Sequence, residues 1–143
     1  MKNSIRHTGI VVQNLNEVRN FWIKIMGFKI EKEIEESGSY IDNIVGLKNT
    51  QVTTVKLKDH KGNMIELLKF NSHPNHYEWL GSPSSTGLTH IALNVDDIER
   101  IIDSMNCAGY INKKNFQLSP DGRVKVIYVR GPEGLILELV ETL

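Results

Sequence analysis

Ile5-Arg6-His7-Thr8-Gly9-Ile10-Val11-Val12 and Leu88-Thr89-His90-Ile91-Ala92-Leu93-Asn94-Val95 are two strand-like apolar runs, each with a histidine near its start. Each is answered later by a run that carries a glutamate. Gly62-Asn63-Met64-Ile65-Glu66-Leu67-Leu68 follows the first and Gly134-Leu135-Ile136-Leu137-Glu138-Leu139-Val140 follows the second. A carboxylate inside an apolar run needs a partner, because desolvating an unpaired charge is costly. Two such glutamates matched by two histidines point to a metal ion.

The two stretches keep the same register. His7 to Gly27 is 20 residues and His90 to Gly109 is 19, and each glutamate lies four residues after a glycine. Asn14 with Glu17 reads as the cap of a helix running through Phe21, Trp22, Ile25 and Met26 and stopped by Gly27. Asp96 with Glu99 reads as the cap of a second helix, whose Ile98, Ile101, Ile102 and Met105 recur at helical spacing up to Gly109. Alternating segments predict strands over residues 28–34, 51–57 and 64–70, and again over 110–114, 124–129 and 135–139. Asp59-His60-Lys61-Gly62-Asn63 and Arg130-Gly131-Pro132-Glu133-Gly134 have the composition of the turns that join the last two strands of each half.

The pattern is therefore α+β, strand–helix–three strands, repeated. Residues 1–143 form one domain made of a first βαβββ module (1–70), a linker (71–87) and a second βαβββ module (88–143). The first half is longer, by a loop predicted over residues 35–48 in which Ser37-Gly38-Ser39 reads as a lid. The Phe21, Trp22 and Met26 stripe is expected to pack on the sheet, and Cys107 reads as a small core residue.

Composition excludes several function classes. Lys plus Arg and Asp plus Glu are both 17, so no net positive field draws in nucleic acid or an anionic membrane. Cys107 is the single cysteine, which rules out an internal disulfide and fits a reducing compartment. The first residues carry no apolar signal region, and no run approaches the roughly 20 apolar residues of a membrane span. A cytoplasmic protein with a small-molecule partner, and without nucleic acid or membrane, is expected. A chain of this length buries roughly two-thirds of its unfolded surface, so a metal is not required for folding.

Side chains alternate across a strand, so His7 shares a face with Ile5, Gly9 and Val11, and Glu66 with Met64 and Leu68. Each of the four candidates is expected in a strand interior. Two imidazoles and two carboxylates without sulfur suit Zn, Co, Ni, Mn or Fe(II), and strand-borne ligands leave coordination positions open for substrate. His60, His73 and His76 fall in turn or linker segments and are expected to be solvated. Arg123, Lys125 and Arg130 lie in or beside the late strands and are candidates to hold a substrate carboxylate or phosphate.

The order of a histidine in the opening strand, a helix ending at Met26-Gly27-Phe28, a Gly-x-x-x-Glu-Leu hairpin, and then the whole again, resembles the vicinal oxygen chelate superfamily. That superfamily includes glyoxalase I, bleomycin resistance proteins and extradiol dioxygenases. The resemblance implies paired βαβββ modules forming a curved mixed sheet around a metal-lined cleft, in many members a homodimer. It carries the metal ligands onto His7, Glu66, His90 and Glu138. It also implies lyase, isomerase or epimerase chemistry through an enolate, with Glu138 as the catalytic base and Glu66 as the opposing carboxylate.

Departures narrow the substrate. The bacterial glutathione-dependent enzyme has an arginine where Val11 stands and an asparagine where Phe70 stands, which argues against glutathione. Methylmalonyl-CoA epimerases usually have glutamine at the position of Glu66. Residues 127–138, Tyr128 included, resemble the end of the extradiol dioxygenase signature and make Tyr128 a candidate substrate contact. The catalytic histidine that should precede them is absent from Ser119-Pro120-Asp121-Gly122. Antibiotic-binding members without turnover typically lack the ligands that this chain retains.

Overall fold

The structure, a computed structural model, describes residues 1–74 and 81–143. The chain divides into two compact units, Met1–Glu78 and Trp79–Leu143.

The first unit contains β1 (Thr8–Val11), α1 (Leu15–Asn20), β2 (Lys29–Ser37), α2 (Ser39–Val45), β3 (Gln51–Lys58) and β4 (Met64–Phe70). Its sheet has the order β1-β4-β3-β2, with β1 parallel to β4 and the other pairs antiparallel. The Asn14 side-chain Oδ1 accepts from the Glu17 backbone N–H at 3.1 Å, and the Asn14 side-chain amide N–H donates to the Glu17 carboxylate at 3.2 Å, as the capping pattern predicts. Past Asn20 the helix widens into a π turn over Phe21–Ile25, in which Met26 N–H reaches the Phe21 carbonyl at 3.2 Å. Gly27 ends it at φ +74°, a conformation that a side chain resists. Phe28 is thereby turned back so that its N–H bonds the Trp22 carbonyl at 2.9 Å. Phe21, Trp22 and Phe28 then meet edge-on, with ring centroids 5.7 and 5.0 Å apart. Val55, Leu57, Ile65 and Leu67 complete this core from the sheet.

The second unit contains β5 (Ile91–Asn94), α3 (Ile98–Cys107), β6 (Gln117–Leu118), β7 (Val124–Arg130), a 3₁₀ turn (Pro132–Gly134) and β8 (Ile136–Thr142). Its sheet order, β5-β8-β7-β6, repeats that of the first unit, again with the opening strand parallel to the last. Ile98, Ile102 and Met105 of α3 are fully buried, as are Leu137 and Leu139 of β8. The protein is thus α+β, with two four-stranded mixed sheets in the repeated βαβββ order. No helix among the described residues is long and apolar enough to cross a membrane.

Four local expectations are corrected. The cap of α3 is Asp97, not Asp96: Asp97 is extended (φ −157°, ψ 101°) and its carboxylate accepts from Arg100 N–H at 2.9 Å. The spacing to Glu99 suggested the earlier residue, but Glu141 of β8 takes the next free donor, Ile98 N–H, at 2.9 Å. Residues 35–48 are not a plain loop. They hold the end of β2 and then α2, bracketed by Gly38 at φ +97° and Gly46 at φ +73° and anchored by buried Ile41. Residues 110–114 are not a strand. Asn112 receives the Arg130 N–H at 2.9 Å and donates to the Arg130 carbonyl at 3.0 Å, while Asn106 clamps the Asn112 backbone. Side-chain amides there take the bonds that a backbone ladder would have made. Cys107 is exposed, because it lies two residues past Met105 and so off the buried stripe of α3.

The turn before β4 is held by Asp59, which accepts from Lys61 N–H, Asn63 N–H and the Asn63 amide at 2.8 to 2.9 Å. Partial burial raises its carboxyl, and these hydrogen bonds outweigh that effect and hold it below the ordinary aspartate value.

Asp97→Ala is expected to cost about 1 kcal/mol, a few degrees of melting temperature, through the lost cap. Asp96→Ala should fall within about 0.5 kcal/mol of the parent. Thermal melts followed by circular dichroism would check both, and equal losses would return the cap to Asp96.

Candidate functional site

In the first unit Glu66 of β4 is opposed on one side by Gly9 of β1 and on the other by Lys56 of β3. His7 stands just before β1 and two residues ahead of Gly9, so it shares that face. Gly9 has no side chain, and a Cβ built there would meet Leu68 Cδ1 at 3.5 Å. His7 Nε2 lies 3.6 Å from Glu66 Oε1, while Lys56 Nζ lies 3.5 Å from Glu66 Oε2. His7 Nδ1 is buried and has no hydrogen-bond partner among the described residues.

The second unit repeats the register with different neighbours. Ala92 of β5 and Tyr128 of β7 flank Glu138 of β8 at the corresponding register positions. His90, just before β5, brings Nε2 to 3.1 Å from Glu138 Oε2 and to 3.2 Å from the Tyr128 hydroxyl. The His90 and Tyr128 rings approach to 4.8 Å between centroids, and Thr89 Oγ1 lies 3.0 Å from His90 Nδ1. Tyr128, a neutral phenol, takes the place that the Lys56 ammonium has in the first unit.

The histidines precede their strands instead of lying inside them, because the parallel ladders begin at Thr8 and Ile91. The glutamates are also more accessible than apolar flanks suggest, at 13% for Glu66 and 25% for Glu138. The apolar neighbours Ile65, Leu67, Leu137 and Leu139 alternate to the opposite, buried face.

Each pair suits a divalent cation. Bonds of about 2.0–2.2 Å to imidazole nitrogen and carboxylate oxygen put neighbouring donors roughly 3 Å apart. Both His–Glu pairs are close to that spacing, and an N,O donor set matches the borderline-to-hard metals. His90 also has a partner on its second ring nitrogen, the support that metal-bound imidazoles usually have. Neither pair gathers a third His, Cys, Asp or Glu within its own unit among the described residues.

The remaining candidates engage elsewhere. Arg123 is exposed, 3.9 Å from Asp121. Arg130 donates to the Gly134 carbonyl at 3.2 Å and so braces its own hairpin. Lys125 pairs with Glu141 at 3.4 Å and lies over the Phe116 ring. His60 is exposed, whereas His73 is half-buried with Nδ1 at 2.8 Å from Ser72 Oγ; His76 lies outside the described residues. Sequence reasoning missed Lys56. The available signal was its position ten residues before Glu66, matching Tyr128 ten residues before Glu138.

The profile of the Glyoxalase/Bleomycin resistance protein/Dioxygenase superfamily matches residues 4–139. A probable lactoylglutathione lyase of Vibrio cholerae is 25% identical over 140 residues, covering 96% of this chain and 89% of the relative. The crystal structure of a glyoxalase family protein from Bacillus cereus superposes with a TM-score of 0.86 at 22% identity, over 99% of this chain and 97% of that one. The fosfomycin resistance protein FosX of Listeria monocytogenes, complexed with Mn(II) and sulfate, superposes with a TM-score of 0.60 at 14% identity. That match covers 100% of this chain and 95% of the other.

Proposed function

Because the chain belongs to the Glyoxalase/Bleomycin resistance protein/Dioxygenase superfamily, we propose that it is a divalent-metal-dependent lyase or isomerase of glyoxalase-I type. In this reading His7, Glu66, His90 and Glu138 hold one metal ion, the two pairs being contributed by one chain or by two chains of a homodimer. The observation that carries the reading is the doubled register: a His–Glu pair at the same position of each βαβββ unit. The Mn(II) complex of FosX and the lyase name of the Vibrio relative support it.

The metal, whether Zn, Ni, Co, Mn or Fe, supplies Lewis-acid stabilisation of negative charge developing on a substrate oxygen. The protein's own groups do the rest. Glu138 takes the proton from carbon, because no Lys or Arg among the described residues stands within ion-pair distance of it, whereas Glu66 is already paired with Lys56. Tyr128, half-exposed beside His90, donates a hydrogen bond to a substrate oxygen. Val11 and Phe70 direct the site away from glutathione and toward a smaller oxygenated or thioester substrate. The protein is taken to act in the cytoplasm.

Thermal shift with Zn, Co, Ni and Mn tests the reading. An ion that binds the native state at 100 times its Kd stabilises by about 2.7 kcal/mol, so melting should rise with dose. No response to any ion would transfer support to a metal-free binding protein of the same fold. Extradiol oxygenation is favoured by one observation, the Tyr128–His90 contact, but the turn over Ser119–Asp121 contains no histidine to serve it. Oxygen uptake with catechols after anaerobic Fe(II) loading would establish that alternative.

A further inference from the structure

We infer that Lys56 makes the site selective for a substrate carrying a carboxylate or similar oxyanion next to its chelating oxygens. The inference rests on the metal reading above and deepens it. Its basis is the difference in charge between the two corresponding arrangements. The residue opposite Glu66 is a lysine and the residue opposite Glu138 is a tyrosine, each ten residues before its glutamate and each in the same hairpin register.

Charge counting gives the difference a function. Without a metal, Lys56 and Glu66 neutralise each other at 3.5 Å across the strand pair. Once Glu66 ligates a divalent ion, its negative charge is taken up by the metal. The Lys56 ammonium then remains as surplus positive charge beside the metal. It is 24% exposed at its side chain, so it is only partly screened by water and still reachable from the Glu66 face. A cation of that kind is costly unless an anion accompanies it. Phenol at the Tyr128 position creates no such surplus, so the requirement is local to the first unit. A lysine is also suited to a single oxyanion contact, as a compact point charge on a flexible stem.

A plain cross-strand ion pair would predict the opposite behaviour: removing Lys56 would alter stability and leave ligand preference unchanged. The probes are glycolate and its neutral isostere glycolamide, titrated calorimetrically into the full-length Zn- or Mn-loaded protein, the parent against Lys56→Met and Lys56→Arg. In the parent, glycolate should bind more tightly than glycolamide. Lys56→Met should weaken glycolate about tenfold, the scale of one charge-assisted hydrogen bond, and leave glycolamide within about twofold. Lys56→Arg should restore most of the loss. Lys56→Met should also bind the divalent ion itself at least as tightly as the parent, since a like charge has been removed.

Equal affinity of the parent for the two probes, or an equal loss of both in Lys56→Met, would overturn the inference while leaving metal binding intact. A parent that takes up no divalent ion in the same calorimeter would instead sink the metal reading and this inference with it. If Lys56→Met fails to fold, Lys56→Gln carries the same comparison. A melting curve run beside each titration separates unfolding from lost binding.

Discussion

Glu138→Gln is expected to reduce turnover by about 10²- to 10⁴-fold, the range usually lost with a positioned general base. The amide keeps the shape of the side chain and can still accept from His90, which stands 3.1 Å away, so the hairpin and its register should be preserved. What it cannot do is take a proton from carbon. The measurement is turnover on a panel of thiol–oxoaldehyde adducts and acyl thioesters, normalised to bound metal in each preparation. Glu66→Gln is the informative control. Glu66 faces both His7 and Lys56, so its loss should weaken metal binding first and turnover only in proportion. Full metal content with unchanged turnover in Glu138→Gln would remove Glu138 from the role of base.

The second large effect concerns stability. Trp22→Ala is expected to cost about 3–5 kcal/mol and to lower the melting temperature by about 10 °C or more. Trp22 is fully buried, meets Phe21 and Phe28 edge-on, and holds the returning chain through its carbonyl bond to Phe28. Truncation would leave a void in the core behind the face that carries Glu66. Its indole N–H is buried without an acceptor among the described residues. Trp22→Phe therefore removes volume but also relieves an unsatisfied donor, and its loss should be clearly smaller. Denaturant and thermal melts would decide, and a Trp22→Ala loss below 1 kcal/mol would mean that the π turn repacks without it.

Much of the fold was legible in local patterns. The caps at Asn14 and the stops at Gly27 and Gly109 depend on residues within a few positions of one another, so short-range spacing exposes them. Three of the four misreadings share a non-local origin. Asp97 caps α3 in a setting where Glu141, from a strand more than forty residues later, satisfies Ile98 N–H. The Asn106–Asn112–Arg130 network replaces a strand with side-chain amides, a choice that alternation of apolar residues does not encode. Helix α2 depends on Ile41 finding a buried position and on Asp42 receiving Asn49 and Thr50 N–H.

For the candidate site, the sequence by itself determined the duplicated order of elements and the recurrence of one histidine and one glutamate per unit. Periodicity and spacing along the chain suffice for that. Only the tertiary structure decided that each histidine, just outside its strand, reaches its glutamate diagonally across the parallel ladder, and that Lys56 opposes one carboxylate while Tyr128 opposes the other. The physical reason is register: which side chains share a face is set by how paired strands align, and a slip of one residue would exchange every one of those neighbours.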